Sequence, residues 1–489
     1  MKRQIRKIAL ANLFVLALCA FELSFGCLAI EYNSIESLEV IKNNIIYFPD
    51  NGLKLGVRGA INKPQGDIYL EDVQNIKSLE INHKRISNLE GIQYLTGLRE
   101  LNLSYNKIQD LSPLKSLTKL ESLNLGYNQI VDITPLALLN DLHELILDSN
   151  KTADISPIKG LTNLKKLSLY NNKVSNIQPL STLINLTDLN LYINNLENIK
   201  PLKNLVKLSI LSIGNNNISD ISPLSNLKNL TVLEAGENKI SNLKGLGNLS
   251  NLKELYLHGN KIEDPSELKA LNNLHYLGLS DNEVKYVLSL ANLVNLSYLD
   301  MDRNQIISIE GLKTLAKLRG LRLGDNKIEN VGELGSLVML ENLALNNNQI
   351  TDVKGLSSLI NLRSLDISNN KIYNIDSLRN MPNLPLTSIM LGGNPLPDYV
   401  FDDVLKEQLI MTLFNPYINE AIKAYYNGPR QYWNEDILDI SKSGAEYRIK
   451  IRLETFVGSH NPPYGLDTMT VIGDWNGIRV EDFKHEELN

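Results

Sequence analysis

An asparagine recurs every 22 residues through the middle of this 489-residue chain. It stands at Asn106, Asn128, Asn150, Asn172, Asn194, Asn216, Asn238, Asn260, Asn282, Asn304, Asn326, Asn348 and Asn370, with no insertion between copies. The pattern around it is L-x-L-x-x-N-x-I, as in Leu101-Asn102-Leu103-Ser104-Tyr105-Asn106-Lys107-Ile108. One unit precedes the run, with Lys84 in the asparagine position. One follows it, with Asn394 there after a two-residue insertion near Pro385. A unit this short cannot bury its own leucines. Fifteen such units must therefore stack, each covering the next, and the ends of the stack need caps.

Within a unit the L-x-L pair reads as one short strand with its leucines inward and the intervening residues outward. The asparagine sits where the chain turns off the strand. Its amide carries donors and acceptors that can satisfy backbone groups of the turn, so the ladder is assigned a structural role. Leu111, Leu114, Leu117 and Leu120 fill the rest of one coil. Pro113, Pro135, Pro157, Pro179, Pro201 and Pro223 recur at one place. Proline there forbids a further strand and suits a tight helical or 3₁₀ turn. The fold class expected is an α/β leucine-rich repeat solenoid of about fifteen repeats, with short parallel strands on the concave face and 3₁₀ turns on the convex face. At its N-terminal end, Phe48-Pro49-Asp50 precedes Leu53, Leu55, Val57 and Ile61. Asp50 is a candidate N-cap of a short amphipathic capping helix.

The first 26 residues read as a secretory signal peptide: Lys2, Arg3, Arg6 and Lys7, then an apolar run from Ile8 to Ala20, then small residues. That run is short for a membrane span, which needs roughly 20 residues. Both cysteines, Cys19 and Cys27, lie in or beside this leader, so the secreted body holds no disulfide. Cys27 is a candidate lipidation site, although Phe25 departs from the lipoprotein pattern. A membrane enters this reading only through that N-terminal lipid. The net charge of −6 and the lack of a basic block argue against nucleic acid.

The 22-residue unit, the run from Phe48-Pro49-Asp50 through Val57-Arg58 to Lys63-Pro64 and Gly66-Asp67-Ile68, and the leader together resemble the internalin family of Gram-positive bacteria. The resemblance covers roughly residues 45–396. It implies a curved solenoid, secreted or surface-associated, whose strand face binds another protein. The chain carries no L-P-x-T-G motif, so covalent wall attachment is not expected of it.

Composition changes after Asn394-Pro395-Leu396-Pro397. Residues 401–414 and 417–426 read as helices. Tyr447, Ile449, Ile451 and Leu453 alternate with charged residues as a half-buried strand. Thr468 to Ile472 and Gly477 to Val480 read as two more strands. The expected organisation is a signal peptide at 1–26, an N-terminal cap at 31–66, the solenoid at 67–397 and an α+β domain at 398–489. That last domain resembles a small secreted bacterial domain of unknown function, through Glu454-Thr455-Phe456, Gly458, His460-Asn461-Pro462-Pro463-Tyr464-Gly465-Leu466 and Asp482-Phe483-Lys484-His485.

Fifteen strands at ~4.8 Å spacing offer on the order of 70 Å of face. The ruler lists its outward residues, at two, four and six places before each asparagine. Tyr170 and Tyr192 fall side by side, as do Tyr276 and Tyr298 with Tyr256 next to them. Asp300, Asp302, Arg303 and Arg322 follow on the C-terminal side. Tyrosine and arginine in one patch are the residue types that dominate interface energy. These nine are the candidate protein-binding residues.

His258, Ser280 and Asp302 occupy equivalent places in three successive units. A hydrolytic triad needs histidine between serine and acid, and here serine is in the middle. Two carboxylates on one strand, as at Asp300 and Asp302, make a poor calcium cage. No catalytic residue, metal or cofactor is assigned. The reading is a secreted or surface scaffold for a protein or cell-envelope partner, with no enzymatic role. Two alternatives stand: an enzyme with its activity in the C-terminal domain, around His460, Tyr464 and His485, and an intracellular regulator of the phosphatase-binding repeat type.

Overall fold

Three-residue strands and short 3₁₀ helices alternate with the 22-residue step of the sequence in the computed structural model. The structure describes residues 44–397 apart from 380, residue 400, and in the tail 416–425, 431–443, 446–456, 465–474 and 477–487. The leader, Cys19, Cys27, the helix expected at 401–414, His460 and Tyr464 lie outside the described residues. Among the described residues no helix is long and apolar enough to cross a membrane.

The chain divides into two compact units, Met1–Leu142 and His143–Asn489. In the first, strand β1 (Ile45–Ile46) pairs antiparallel with β2 (Ile68–Tyr69), and helix α1 (Asn51–Ala60) lies between them in sequence. Asp50 caps α1: its carboxylate accepts from Leu53 N–H at 3.2 Å, and from Ser87 N–H of the first coil at 2.9 Å. Leu53 and Val57 are fully buried. Leu55, expected in the same apolar stripe, is 59% exposed. Residues four apart share a helix face, and residue 55 falls opposite. A Cβ at Gly56 would come within 1.9 Å of Ile81 Cγ2, so only glycine lets α1 approach the first coil this closely. Helix α2 (Leu70–Val73) then leads to the parallel strands β3 (Ser78–Glu80), β4 (Glu100–Asn102) and β5 (Ser122–Asn124).

In the second unit the parallel strands run from β6 (Glu144–Ile146) to β16 (Ser364–Asp366) and β17 (Ile389–Met390). Strands β3 to β17 form a fifteen-stranded sheet in chain order. The register repeats the ruler, with Leu233 against Leu255 and Leu255 against Leu277. The insertion near Pro385 lengthens only the last step, where Leu365 faces Ile389. Each recurring proline lies in the first turn of a 3₁₀ helix, as in Ser156–Gly160 and Ser222–Asn226.

The asparagines bind two coils at once. Asn238 Oδ1 accepts from Ile218 N–H of the preceding coil at 2.9 Å. Its Nδ2 donates to Ile213 O of that coil at 3.0 Å, and to Ala235 O and Gly236 O of its own. Asn394 reproduces this after the insertion, accepting from Ile372 N–H and donating to Ile367 O and Leu391 O. In the first unit, where lysine replaces the ladder asparagine, the backbone N–H groups of Lys84 and Ile86 both donate to Asn106 Oδ1 of the next coil. A second asparagine ladder, 13 residues further on, was not anticipated. Asn229, Asn251, Asn273 and Asn295 each donate to a carbonyl 23 residues earlier. It was legible in the L-x-N-L element of those units, as in Leu227-Lys228-Asn229-Leu230.

The tail is built differently. Helix α3, at 416–425, packs Ile418 and Ile422 on Ile449, Ile451, Leu453, Met469 and Val471. These belong to a four-stranded antiparallel sheet of β18 (Gln431–Ser443), β19 (Glu446–Phe456), β20 (Gly465–Asp474) and β21 (Gly477–Glu487). β18 was not anticipated, and β21 extends well past the Gly477–Val480 expected. Register shifts interrupt β18 between Trp433 and Asp436 and between Ile437 and Asp439, and β21 where Val480 and Asp482 face Val471 and Thr470. A bulge inserts a residue and breaks the period-two pattern by which a strand is recognised.

Candidate protein-binding surface

The outward residues of β11 (Glu254–Tyr256), β12 (Tyr276–Gly278), β13 (Tyr298–Asp300), β14 (Gly320–Arg322) and β15 (Asn342–Ala344) stand in rows fixed by register. One row reads Glu254, Tyr276, Tyr298, Gly320, and the next Tyr256, Gly278, Asp300, Arg322. The tyrosines stack. Tyr276 and Tyr298 lie 5.1 Å apart at 2° between ring planes, and Tyr256 and Tyr276 lie 4.5 Å apart at 30°. Glycine makes room for the rings. A Cβ at Gly320 would come within 2.4 Å of Tyr298 Cδ2. Tyr192 covers Gly214 in the same way, with its ring 6.1 Å from that of Tyr170. Beyond Tyr298 lies a depression of about 290 Å³ lined by Gly320, Arg322, Asn342, Asn346 and Asp366 among others.

Burial pushes the hydroxyl pKa of Tyr256, Tyr276 and Tyr298 upward, so all three are neutral donors at physiological pH. Tyr256 donates to Glu254 Oε2 at 2.9 Å.

The charged residues divide into three roles. Asp302 is 4% exposed, which removes it from the exposed patch expected for it. Its Oδ1 accepts from Gly324 N–H at 2.7 Å and its Oδ2 from Arg322 Nε at 2.7 Å. Arg322 is thereby drawn toward β13, with Asp300 at 3.8 Å. Asp300 stays half-buried, accepts from Asp302 N–H, and has its pKa raised by that burial. Arg303 does not join the tyrosines. It sits at the turn with φ +52° and forms a two-point ion pair with Asp281. Every ladder asparagine has such a left-handed residue before it, including the β-branched Ile193 at φ +55°.

His258, Ser280 and Asp302 form no relay. A Cβ at Gly236 would meet His258 Cε1 at 2.4 Å, so the imidazole lies over Gly236 on the side away from Ser280. Asp302 is already held by Arg322. Among the described residues there is no group of three side chains fit to hold a metal. In the tail, His485 Nδ1 lies 2.7 Å from the buried Asp467 Oδ1.

One aromatic feature was missed. In the first unit His83, Tyr105 and Tyr127 stack at 4.3 and 4.2 Å. They occupy the left-handed position one residue before the ladder, at φ +54°, +57° and +57°. The ruler contained this column, but strand alternation gives no direction for a residue that has left the strand.

Known proteins agree with this architecture. A leucine-rich repeat region model matches residues 207–402, and a model of paired leucine-rich repeats matches 74–116, 96–138 and 140–182. Residues 406–487 match a family described as a protein of unknown function, DUF3888. The crystal structure of an internalin (inlF) from Listeria monocytogenes superposes with a TM-score of 0.64 at 34% identity, covering 67% of this chain and 96% of that one. The chain belongs to the internalin family. Its internalin fold is shared more distantly by a leucine-rich repeat protein of Leptospira interrogans, at 27% identity and TM-score 0.60 over 69% of this chain and 83% of that one. The functional domain of InlJ from Listeria monocytogenes has the same fold at 20% identity and TM-score 0.58, over 90% and 97% of the two chains. No curated protein matches this internalin.

Proposed function

We propose that this internalin is a secreted or surface-associated scaffold that recognises a protein or cell-envelope partner through its strand face. In this reading the leader at 1–26 directs export, 31–66 caps the repeats, 67–397 binds, and 398–489 is a separate α+β domain. The observation that carries it is the stacked row of Tyr256, Tyr276 and Tyr298, seated over glycines on a face built from short, fixed strands. Large aromatic groups held in one arrangement before binding lose little entropy on docking. Tyr170 and Tyr192 supply a second contact region on the same face.

The test is photo-cross-linking. Tyr298→p-benzoylphenylalanine and, away from the strands, Ile184→p-benzoylphenylalanine are exposed to envelope fractions. A species trapped only from position 298 is then titrated against Tyr192→Ala and Tyr298→Ala. Loss of binding supports the strand face. Parental affinity in both variants removes it as the site. Intact mass of the protein in medium and membrane fractions separates release after a cut near Gly26 or Ala29 from anchoring at lipidated Cys27.

A further inference from the structure

The strand face of the second unit carries more carboxylates than its cations can match. Its outward positions, from β6 to β16, include two cations, Lys166 and Arg322. Lys166 Nζ lies 2.8 Å from Glu144. Arg322 is shared between Asp302, at 2.5 Å, and Asp300, at 3.8 Å. Asp148, Asp188, Glu234, Glu254 and Asp366 stand at the same outward positions with no ion-pair partner among the described residues. Cations resume one residue upstream of the strands, at Lys165, Lys253, Arg319 and Arg363, and Arg319 is paired with Glu341.

Acids frame the rings, two of them unmatched, Glu234 and Glu254, and one, Asp300, sharing Arg322 with Asp302. Glu234 faces Tyr256 across the register, Glu254 faces Tyr276, and Asp300 follows Tyr298 by two residues. We infer that the partner presents a segment rich in lysine or arginine to this face, a statement that rests on the strand face being the binding surface. A cation over a tyrosine ring is attracted by the ring's quadrupole. Carboxylates beside the ring supply charge-assisted hydrogen bonds to the same head group. An acidic partner meets like charge and is disfavoured.

The test uses the full chain and a short fluorescein-labelled peptide of Lys-Gly-Arg-Gly repeats, with a Glu-Gly-Asp-Gly counterpart, followed by fluorescence anisotropy. One variant carries Glu234→Gln, Glu254→Gln and Asp300→Asn, which keep shape and hydrogen bonding while removing charge. A second carries Tyr276→Ala and Tyr298→Ala. The inference expects the basic peptide to bind, the acidic one not to, and each variant to weaken binding by about tenfold, with affinity falling as salt rises. Equal binding of both peptides, or parental binding by the charge variant, overturns it. If the ring variant alone loses binding, the tyrosine surface stands and the basic partner falls. If neither variant changes binding, both readings fall. Circular dichroism of each variant excludes misfolding as the cause of loss.

Discussion

In the solenoid the strands are two or three residues long and parallel to their neighbours, and each coil is covered by the next. In the tail, four antiparallel strands of ten to thirteen residues pack against the helix at 416–425. The solenoid buries each leucine through its nearest neighbours, so its stability accumulates along the chain. The tail closes one core around Ile422, Ile451 and Met469, so its stability is all or none. In the solenoid the outward residues of β11 to β14 stand in rows that include Tyr256, Tyr276 and Tyr298, whereas the tail packs its helix at 416–425 on its sheet. That difference makes the solenoid the half suited to present a row of side chains.

The largest test of the contrast is a pair of cavities. Leu233 and Ile451 are both fully buried. Leu233→Ala and Ile451→Ala are each expected to cost about 3 kcal/mol. In chemical denaturation followed by circular dichroism and by tail-specific hydrogen exchange, the first is expected to lower the solenoid transition and the second the tail transition. A single transition shifted equally by both would erase the distinction.

Next comes the ladder. Asn238→Ala leaves Ile218 N–H and the carbonyls of Ile213 and Ala235 without its amide. The expected loss is about 2 kcal/mol. Amides of the two coils it joins should exchange faster, while the tail is unaffected. A smaller effect of opposite sign is expected at Ile193, which holds φ +55°. Asn171 and Asn215 occupy the equivalent places, and Ile193→Asn should stabilise by about 1 kcal/mol through relief of the left-handed strain.

The smallest concerns pH. Burial raises the Asp148 pKa, against opposing hydrogen bonds from Ser168 and Tyr170. Its charged form is therefore disfavoured in the folded state relative to the unfolded one. Its contribution to stability improves as pH falls from neutral through the raised folded value, and is complete below about 3.9, the ordinary unfolded value. Asp148→Asn should remove that pH-dependent increment and be slightly more stable at pH 7. A flat difference between variant and parent from pH 7 to 3 would contradict the shift.

The two halves also differ in how much of them the sequence discloses. Leucine spacing and the asparagine ladder define the coils because every unit repeats the same local solution. Tyr276 against Tyr298 follows from counting in steps of 22. The tail has one copy of each element, and bulges at Trp433/Asp436 and near Val480 hide two strand patterns. Within the site, counting places Asp302 on the face but not its burial, which depends on the reach of Arg322 from the next strand. The stack of Tyr105 on Tyr127 depends on backbone angles that no alternation rule supplies.

The account turns on the tyrosine row. The most direct measurement is the affinity of the partner trapped at position 298 for the parent chain and for the Tyr192→Ala, Tyr298→Ala double variant, by calorimetry. Two interface anchors at about 2 kcal/mol each predict a loss of several hundredfold, with the melting profile unchanged. Affinity within twofold of the parent would place the binding surface elsewhere on the molecule.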